Sequence, residues 1–360
     1  MTGATALDAL CVLVAVAAIL VSAFVGQEGF FRRTLSVVAV LFGATLVVSG
    51  MLRLVPGDPI ESILGDQAPQ EARAALAKEL GLQDDNGDEV GFVAQYGRFV
   101  RGVFASGVIA ALPDSLAEDA RVVLPDEPKS FRTRRPVREL IAERLPSTMF
   151  LASAAMIIAC LLGPLLGLLA ASRRATFVDG AAMVFAVLGV ALPRPWLGPL
   201  LILTFAIGLR WFPVSGDDEG LRSVVLPAVS LGTALAAVLA RLTRASLLEV
   251  LSEDYVRTAR AKGLEERVVL FKHALRNALI PVLTVIGLQF GAVLAGAVVT
   301  EKIFAWPGVG LLLLESIRRL DVPVVQGTVL TIALSYVLVN LATDLLYRVV
   351  DPRIRIGSER

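Results

Sequence analysis

Seven apolar runs, each about as long as a bilayer is thick, leave this chain few ways to fold. They fall at 7–25, 35–54, 149–171, 178–209, 224–242, 280–299 and 327–347. Inside hydrocarbon every backbone N–H and C=O must find a partner within the protein, so runs of this length become helices. Composition agrees: 56% of the 360 residues are hydrophobic, against roughly 45–50% in soluble domains. The expectation is an all-α polytopic membrane protein.

The runs differ in detail. No Lys or Arg precedes 7–25, and Asp8–Ala9–Leu10–Cys11 is a poor lipoprotein box, so the run reads as a retained helix. The stretch 178–209 is too long for one straight crossing, and Pro193–Arg194–Pro195 predicts a kink or tilt. Trp211 suits the interface belt. Residues 301–314 are too short to span and are expected to lie along the interface. Cys11 and Cys160 both sit in apolar runs and read as small hydrophobes. A single histidine, His273, excludes a histidine-rich metal cage and reads as a helix-surface residue.

The longest hydrophilic stretch is 60–144. A helix is expected over 69–80, with Pro69 in its first turn and Gly81 past its end. Phe92, Tyr96, Phe99, Val100 and Val103 mark a second, amphipathic helix. The acidic, proline-bounded part at 113–128 reads as a solvated surface insertion, not a metal site.

The most distinctive polar segment is 241–281, between the fifth and sixth runs. It reads as two short helices around a break. Ser252 or Asp254 can cap the first, which runs through Lys262, and Gly263 is a natural left-handed stop. Glu265 and Glu266 fall in the first turn of the second, where Val268, Phe271, Lys272 and Leu275 recur at helical spacing. Such a knuckle either docks into another protein's groove or is an ordinary solvated connector. If it is cytosolic, its side holds sixteen of the short-loop and tail cations, among them Arg32, Arg33, Arg173, Arg174, Arg244 and Arg353. The other side holds five: Arg210, Arg222, Lys302, Arg318 and Arg319. That imbalance places the N-terminus and 60–144 outside and the C-terminus inside.

No nucleotide-binding, zinc-protease, serine-hydrolase or paired-cysteine motif is present. No cofactor, metal or nucleic-acid partner is expected, and the chain does not read as an enzyme. The spans also lack the buried ionisable relay of an ion-coupled carrier, Arg194 being the exception. Arg194 either faces a translocation path or sits locally paired at the kink. Asp344 reads as the partner of Arg348 one turn on. Gly163 with Gly167, and Gly287 with Gly291, form GxxxG pairs that mark close helix packing. With no motor of its own, the chain is expected to be worked by an external one that grips the knuckle. A stand-alone channel or carrier, or a membrane scaffold with an outer ligand-binding domain, are the competing readings.

The residues resemble the permease subunit of a bacterial ATP-binding-cassette importer of the dipeptide/oligopeptide branch. Asp254–Tyr255–Val256–Arg257–Thr258–Ala259–Arg260–Ala261–Lys262–Gly263 is similar to that branch's EAA loop, with Arg257–Thr258–Ala259 where the literal triplet would stand. His273 to Pro281, Pro56–Gly57–Asp58–Pro59, Leu226–Pro227–Ala228, Trp306–Pro307–Gly308, Val325–Gln326–Gly327 and Asp351–Pro352–Arg353–Ile354 keep the family order. The resemblance implies a type I importer core of six transmembrane helices, to which 7–25 adds one. It implies two ATPase subunits clamped to the loop, a second permease, and an extracytoplasmic binding protein that delivers cargo. Peptides are the implied cargo, with nickel complexes, glutathione-like thiols and other small solutes as alternatives. The expected layout is an extra helix and basic link at 1–33, a first core helix at 34–59, an extracytoplasmic domain at 60–144 and a core at 145–354. Residues 355–360 form a tail. The core carries the coupling loop 241–281, in which Asp254, Tyr255, Arg257, Ala259, Gly263, Glu265, Phe271 and Leu275 are the expected contact or shape determinants. The expected location is the bacterial cytoplasmic membrane, in contact with its lipids.

Overall fold

The computed structural model describes residues 27–84, 86–111 and 127–350. The run at 7–25, most of the acidic insertion and the tail beyond 350 lie outside the described residues. In chain order the helices are α1 (Gln27–Leu54), α2 (Pro59–Leu64), α3 (Gln70–Glu79), α4 (Phe92–Ala111), α5 (Val137–Ser172) and α6 (Phe177–Ala191). Then come α7 (Arg194–Leu201), prolonged by a π-helix at Ile202–Gly208, α8 (Leu221–Val250) and α9 (Asp254–Ala261). A helical turn at Glu266–Val268 and a π-helix at Val269–Ala274 lead into α10 (Leu275–Phe304), and α11 (Val309–Arg318) and α12 (Val322–Val350) come after it. Among the described residues there is no strand, only two isolated bridges, Gln83 with Glu89 and Lys129 with Pro136.

Among the described residues, four helical stretches are long and apolar enough to cross a membrane: Val137–Ser172, Leu221–Val250, Glu266–Phe304 and Val322–Thr343. A fifth would be the pair Phe177–Ala191 and Pro195–Gly208, bent by 114°. The bend falls where Pro193 and Pro195 withhold backbone donors and bias their predecessors away from helix, so the long apolar run breaks there. Ala39–Leu54 in α1 is a shorter apolar helix. The chain is an all-α, multi-pass membrane protein.

Two compact bodies make it up. One contains Gly308–Leu338 and the described part of Met1–Pro146. Its apolar centre is Val137, Ile141, Val309 and Val324. Asp58, in the Pro-Gly-Asp-Pro turn, caps α2 by accepting the Ile60 N–H at 2.8 Å. Within this body the amide of Gln326 donates to Ser49 Oγ at 2.8 Å, and Tyr96 Oη is bonded to Thr45 Oγ1 and to the Phe42 carbonyl, both at 2.8 Å. These buried polar groups are thus satisfied, which burial requires.

The second body, Ser147–Pro307 with the described part of Val339–Arg360, is organised about α8. Leu231, Leu235, Ala236 and Leu239 of α8 pack with Leu151, Ala155 and Ala159 of α5 and with Val282, Val293 and Ala297 of α10. Cys160 packs at the margin of the same cluster. On another side of α8, Ala237 and Ala240 meet Ala186 of α6. Small residues on both partners let the backbones approach closely, the usual basis of helix association in lipid.

Part of the segment at 301–314 is packed into the protein. Helix α10 runs on to Phe304 and stops at Ala305, which takes the left-handed conformation at φ 47°. Glu301, Phe304 and Trp306 are all buried. Trp306 stacks on Phe150 with ring centroids 6.4 Å apart, and its indole N–H donates to the Ser147 carbonyl at 2.9 Å. Glu301 accepts from Thr148 Oγ1 at 2.7 Å. Because the polar atoms find partners, this aromatic, charged stretch can turn inward.

Candidate coupling site

The knuckle begins where α8 ends. Helix α9 is capped at Glu253, whose side chain makes no capping bond, rather than at Ser252 or Asp254. Ser252 is drawn off by its own hydrogen bond to the Glu249 carbonyl at 2.6 Å, and Asp254 sits inside the first turn. There it faces Arg257, whose Nη1 donates to Asp254 Oδ1 at 3.3 Å, and the pair is exposed. Ala259 points inward, packed with Val256 and Val269 against Val250 and Leu251. Its methyl shapes the knuckle from within and leaves nothing for a partner to touch.

Gly263 turns the chain. Its φ is 77°, its N–H donates to the Arg260 carbonyl at 2.9 Å, and a Cβ there would meet nothing within 4 Å. The demand is therefore on backbone conformation alone, which glycine meets without strain. The turn is clasped by Arg260, whose Nε and Nη2 donate to the two Glu266 oxygens at 3.1 and 2.7 Å. The Glu266 carboxylate raises the Arg260 pKa further above its ordinary value. Glu265 is the N-cap of the next turn, not part of it.

The second arm of the knuckle is not a free-standing helix. From Glu266 the backbone stays helical, through the π-helix at Val269–Ala274, into α10 as one stretch of 39 residues ending at Phe304. The π segment changes which residues face inward. Val269, Ala274 and Ala278 are buried, Leu275 packs half-buried beside Leu247 and Leu168, and His273 is half-buried. Val268, Phe271 and Lys272 are left exposed. Tyr255 closes the gap between the arms, its Oη accepting from Asn277 Nδ2 at 2.8 Å. Tyr255, Leu264, Val268 and Phe271 of the knuckle are all exposed, with Phe271 56% accessible. Exposed apolar side chains on a short segment that also exposes Arg257, Lys262 and Arg267 suit a protein groove.

Matches to known proteins bear on this arrangement. Residues 163–356 match the family described as "Binding-protein-dependent transport system inner membrane component", and 28–152 match "Binding-prot-dependent transport system membrane comp, N-term". The chain belongs to this permease family. Among curated relatives, the dipeptide transport system permease protein DppB of Alkalihalophilus pseudofirmus is 38% identical over 351 residues, covering 90% of this chain and 98% of that one. The di/tripeptide transport system permease protein DppB of Pseudomonas aeruginosa is 40% identical over 353 residues, covering 90% and 97%. The glutathione transport system permease protein GsiC of Salmonella paratyphi A is 39% identical over 324 residues, covering 90% of this chain and 97% of that one. A crystal structure of an amino acid ABC transporter with histidines aligns with a TM-score of 0.45 at 17% identity, over 60% of this chain and 94% of that one.

This permease is therefore a membrane-spanning transport subunit of an ABC importer, a class that works with further subunits of the same system. The remaining residues singled out by sequence lie away from the knuckle. Gly163 and Gly167 of α5 lie against α8, where a Cβ on Gly163 would stand 2.6 Å from Leu239 Cβ and one on Gly167 2.5 Å from the Ala240 carbonyl oxygen. Gly291 is buried in α10, and the Gly287 carbonyl accepts from Thr343 Oγ1 at 3.2 Å. Arg194 opens α7 beside the bend, and its side chain lies outside the described residues, as does that of Asp344.

Sequence reasoning missed the strongest polar contact near the knuckle. Arg244 of α8 donates from Nε and Nη2 to Asp179 Oδ1 and Oδ2 of α6, at 2.6 and 2.8 Å. The two are 65 residues apart, so no spacing rule could have paired them. The available signal was weak: a lone acid at the start of an apolar run, facing the basic end of another.

Proposed function

We propose that this permease forms half of a transmembrane pathway that imports di- or oligopeptides, driven by ATP hydrolysed on two attached subunits. A second permease, of a different sequence, supplies the other half, and an extracytoplasmic binding protein delivers the cargo. Within the loop 241–281, the knuckle between the end of α8 and the start of α10 is the part the ATPases grip, so it and the C-terminus are cytoplasmic while the N-terminus and 60–144 face outside. The core, 145–354, moves.

The observation that carries this reading is the exposure of Tyr255, Leu264, Val268 and Phe271 on a knuckle joined without a helical break to α10 and by one short turn to α8. A groove that closes on this face moves both helices, because a helix transmits a push along its axis where a loop would absorb it. Closure of paired ATPases then reorients the helices and opens the path alternately to each side. Support for peptides as cargo comes from the two DppB relatives. The GsiC relative favours a second reading, glutathione-like cargo through the same machinery. Uptake of labelled dipeptide, competed with glutathione, separates the two.

The test of coupling is Gly263→Pro in the reconstituted importer. Proline cannot hold φ near 77° and removes the N–H that bonds the Arg260 carbonyl. Insertion and assembly should survive while transport and cargo-stimulated ATPase are lost. Normal transport and stimulation in that variant would refute the coupling role.

A further inference from the structure

Helix α6 is not continuous with the knuckle. Its far end leaves through the 114° bend, and its near end adjoins the turn at Arg173–Thr176. Apart from these chain connections, the face that α6 presents to α8 is where α8 can act on it. Most of that face is smooth: Ala182, Ala186 and Gly189 are buried, and Ala186 lies on Ala237 and Ala240. A Cβ on Gly189 would stand 3.2 Å from both Ala237 Cβ and Thr233 Cγ2. Small apolar faces hold helices together but offer few ridges to resist sliding or rotation.

One contact on this face is directional. One guanidinium edge of Arg244, Nε with Nη2, holds both oxygens of Asp179, and Asp179 Oδ2 also accepts the Ala175 N–H at 3.1 Å. The Asp179 side chain is 8% exposed. Ala175 takes φ 59°, so the turn that presents its N–H is drawn into a conformation that alanine seldom adopts. A planar fork on a planar carboxylate fixes angle as well as distance. Arg244 lies at the knuckle end of α8, and α5 rests on the same spot, since a Cβ on Gly167 would stand 3.0 Å from the Arg244 nitrogen.

We propose that Asp179 and Arg244 form a positioning strut that makes α6 track the knuckle end of α8 during transport. The proposal rests on the coupling role of the knuckle given above. Without the strut, α8 turns under α6 and part of each stroke is lost.

The test uses the complete importer in proteoliposomes, with cargo uptake measured per ATP hydrolysed. Asp179→Asn and Arg244→Gln should each lower that ratio about tenfold, within the range usual for coupling between sites, while stimulated ATPase persists. Arg244→Lys keeps the charge but loses the fork, and should fall between. Uptake per ATP equal to wild type in both Asp179→Asn and Arg244→Gln would overturn the strut. A second measurement does not depend on those variants assembling. Spin labels at Val184 of α6 and Arg241 of α8, both exposed, should keep one separation through the ATP cycle in the otherwise native protein. A separation that changes with the cycle overturns the proposal. If Gly263→Pro transports normally, the coupling reading fails whatever these variants do; if it uncouples and Asp179→Asn does not, the strut alone fails.

Discussion

Replacing Gly167 by alanine tests the packing on which the core of this permease depends. The added Cβ would stand 2.5 Å from the Ala240 carbonyl oxygen and 2.6 Å from Thr243 Cβ. Favourable carbon contacts lie at about 3.5–4.0 Å, so α5 and α8 must separate locally by roughly 1 Å. Neither obstacle is the end of a flexible side chain: one is backbone and the other the stem of a fully buried threonine. Overpacking of this kind costs about 1–3 kcal/mol, and alanine's better helix propensity returns at most about 1 kcal/mol. With the full propensity gain the net loss is about 0–2 kcal/mol relative to wild type, and about 1–3 kcal/mol relative to a glycine-to-alanine change that meets no obstacle. Gly43→Ala in α1 is the control, because a Cβ there meets nothing within 4 Å. It should be neutral or gain up to about 1 kcal/mol. Unfolding of the purified permease in mixed micelles, monitored by helical circular dichroism, compares the two. If Gly167→Ala unfolds at the same denaturant fraction as Gly43→Ala, the added Cβ meets no costly obstacle between α5 and α8 and the reasoning is refuted.

Further expectations concern the knuckle. Phe271→Ala should change stability by no more than about 0.5 kcal/mol, since the side chain is exposed. It should nonetheless weaken ATPase binding by about tenfold or more, as loss of an aromatic anchor does; co-purification across a detergent or salt titration reads this, and undiminished binding would remove Phe271 from the interface. Tyr255→Phe deletes the bond from Asn277, and because both groups reach water the cost should be under about 1 kcal/mol. Its signature is faster amide exchange at 254–261 without loss of assembly, and unchanged exchange would mean that this bond does not hold the arms together.

Local signals accounted for much of what was legible in the chain. Helices and their approximate places come from apolar runs, because hydrocarbon forces the backbone to bond to itself whatever the neighbours are. The bend at Pro193–Pro195 comes from two missing donors, and the turn at Gly263 from a conformation that glycine alone adopts freely. The outward face of Phe271 was within reach of helical spacing, but the stripe drawn from that spacing was only partly exposed. A π-helix at Val269–Ala274 shifts the register and turns Leu275 toward Leu247.

Tertiary structure decided the rest, for one physical reason: those features are pairings between distant residues, and a side chain's type does not name its partner. Gly163 and Gly167 announced a close contact without saying that α8 would fill it. Nothing in the sequence around Trp306 named Phe150 and the Ser147 carbonyl as the partners that bury it. Asp179 and Arg244 are ordinary charges at the ends of two apolar runs, and the packing of α6 on α8 brings them together.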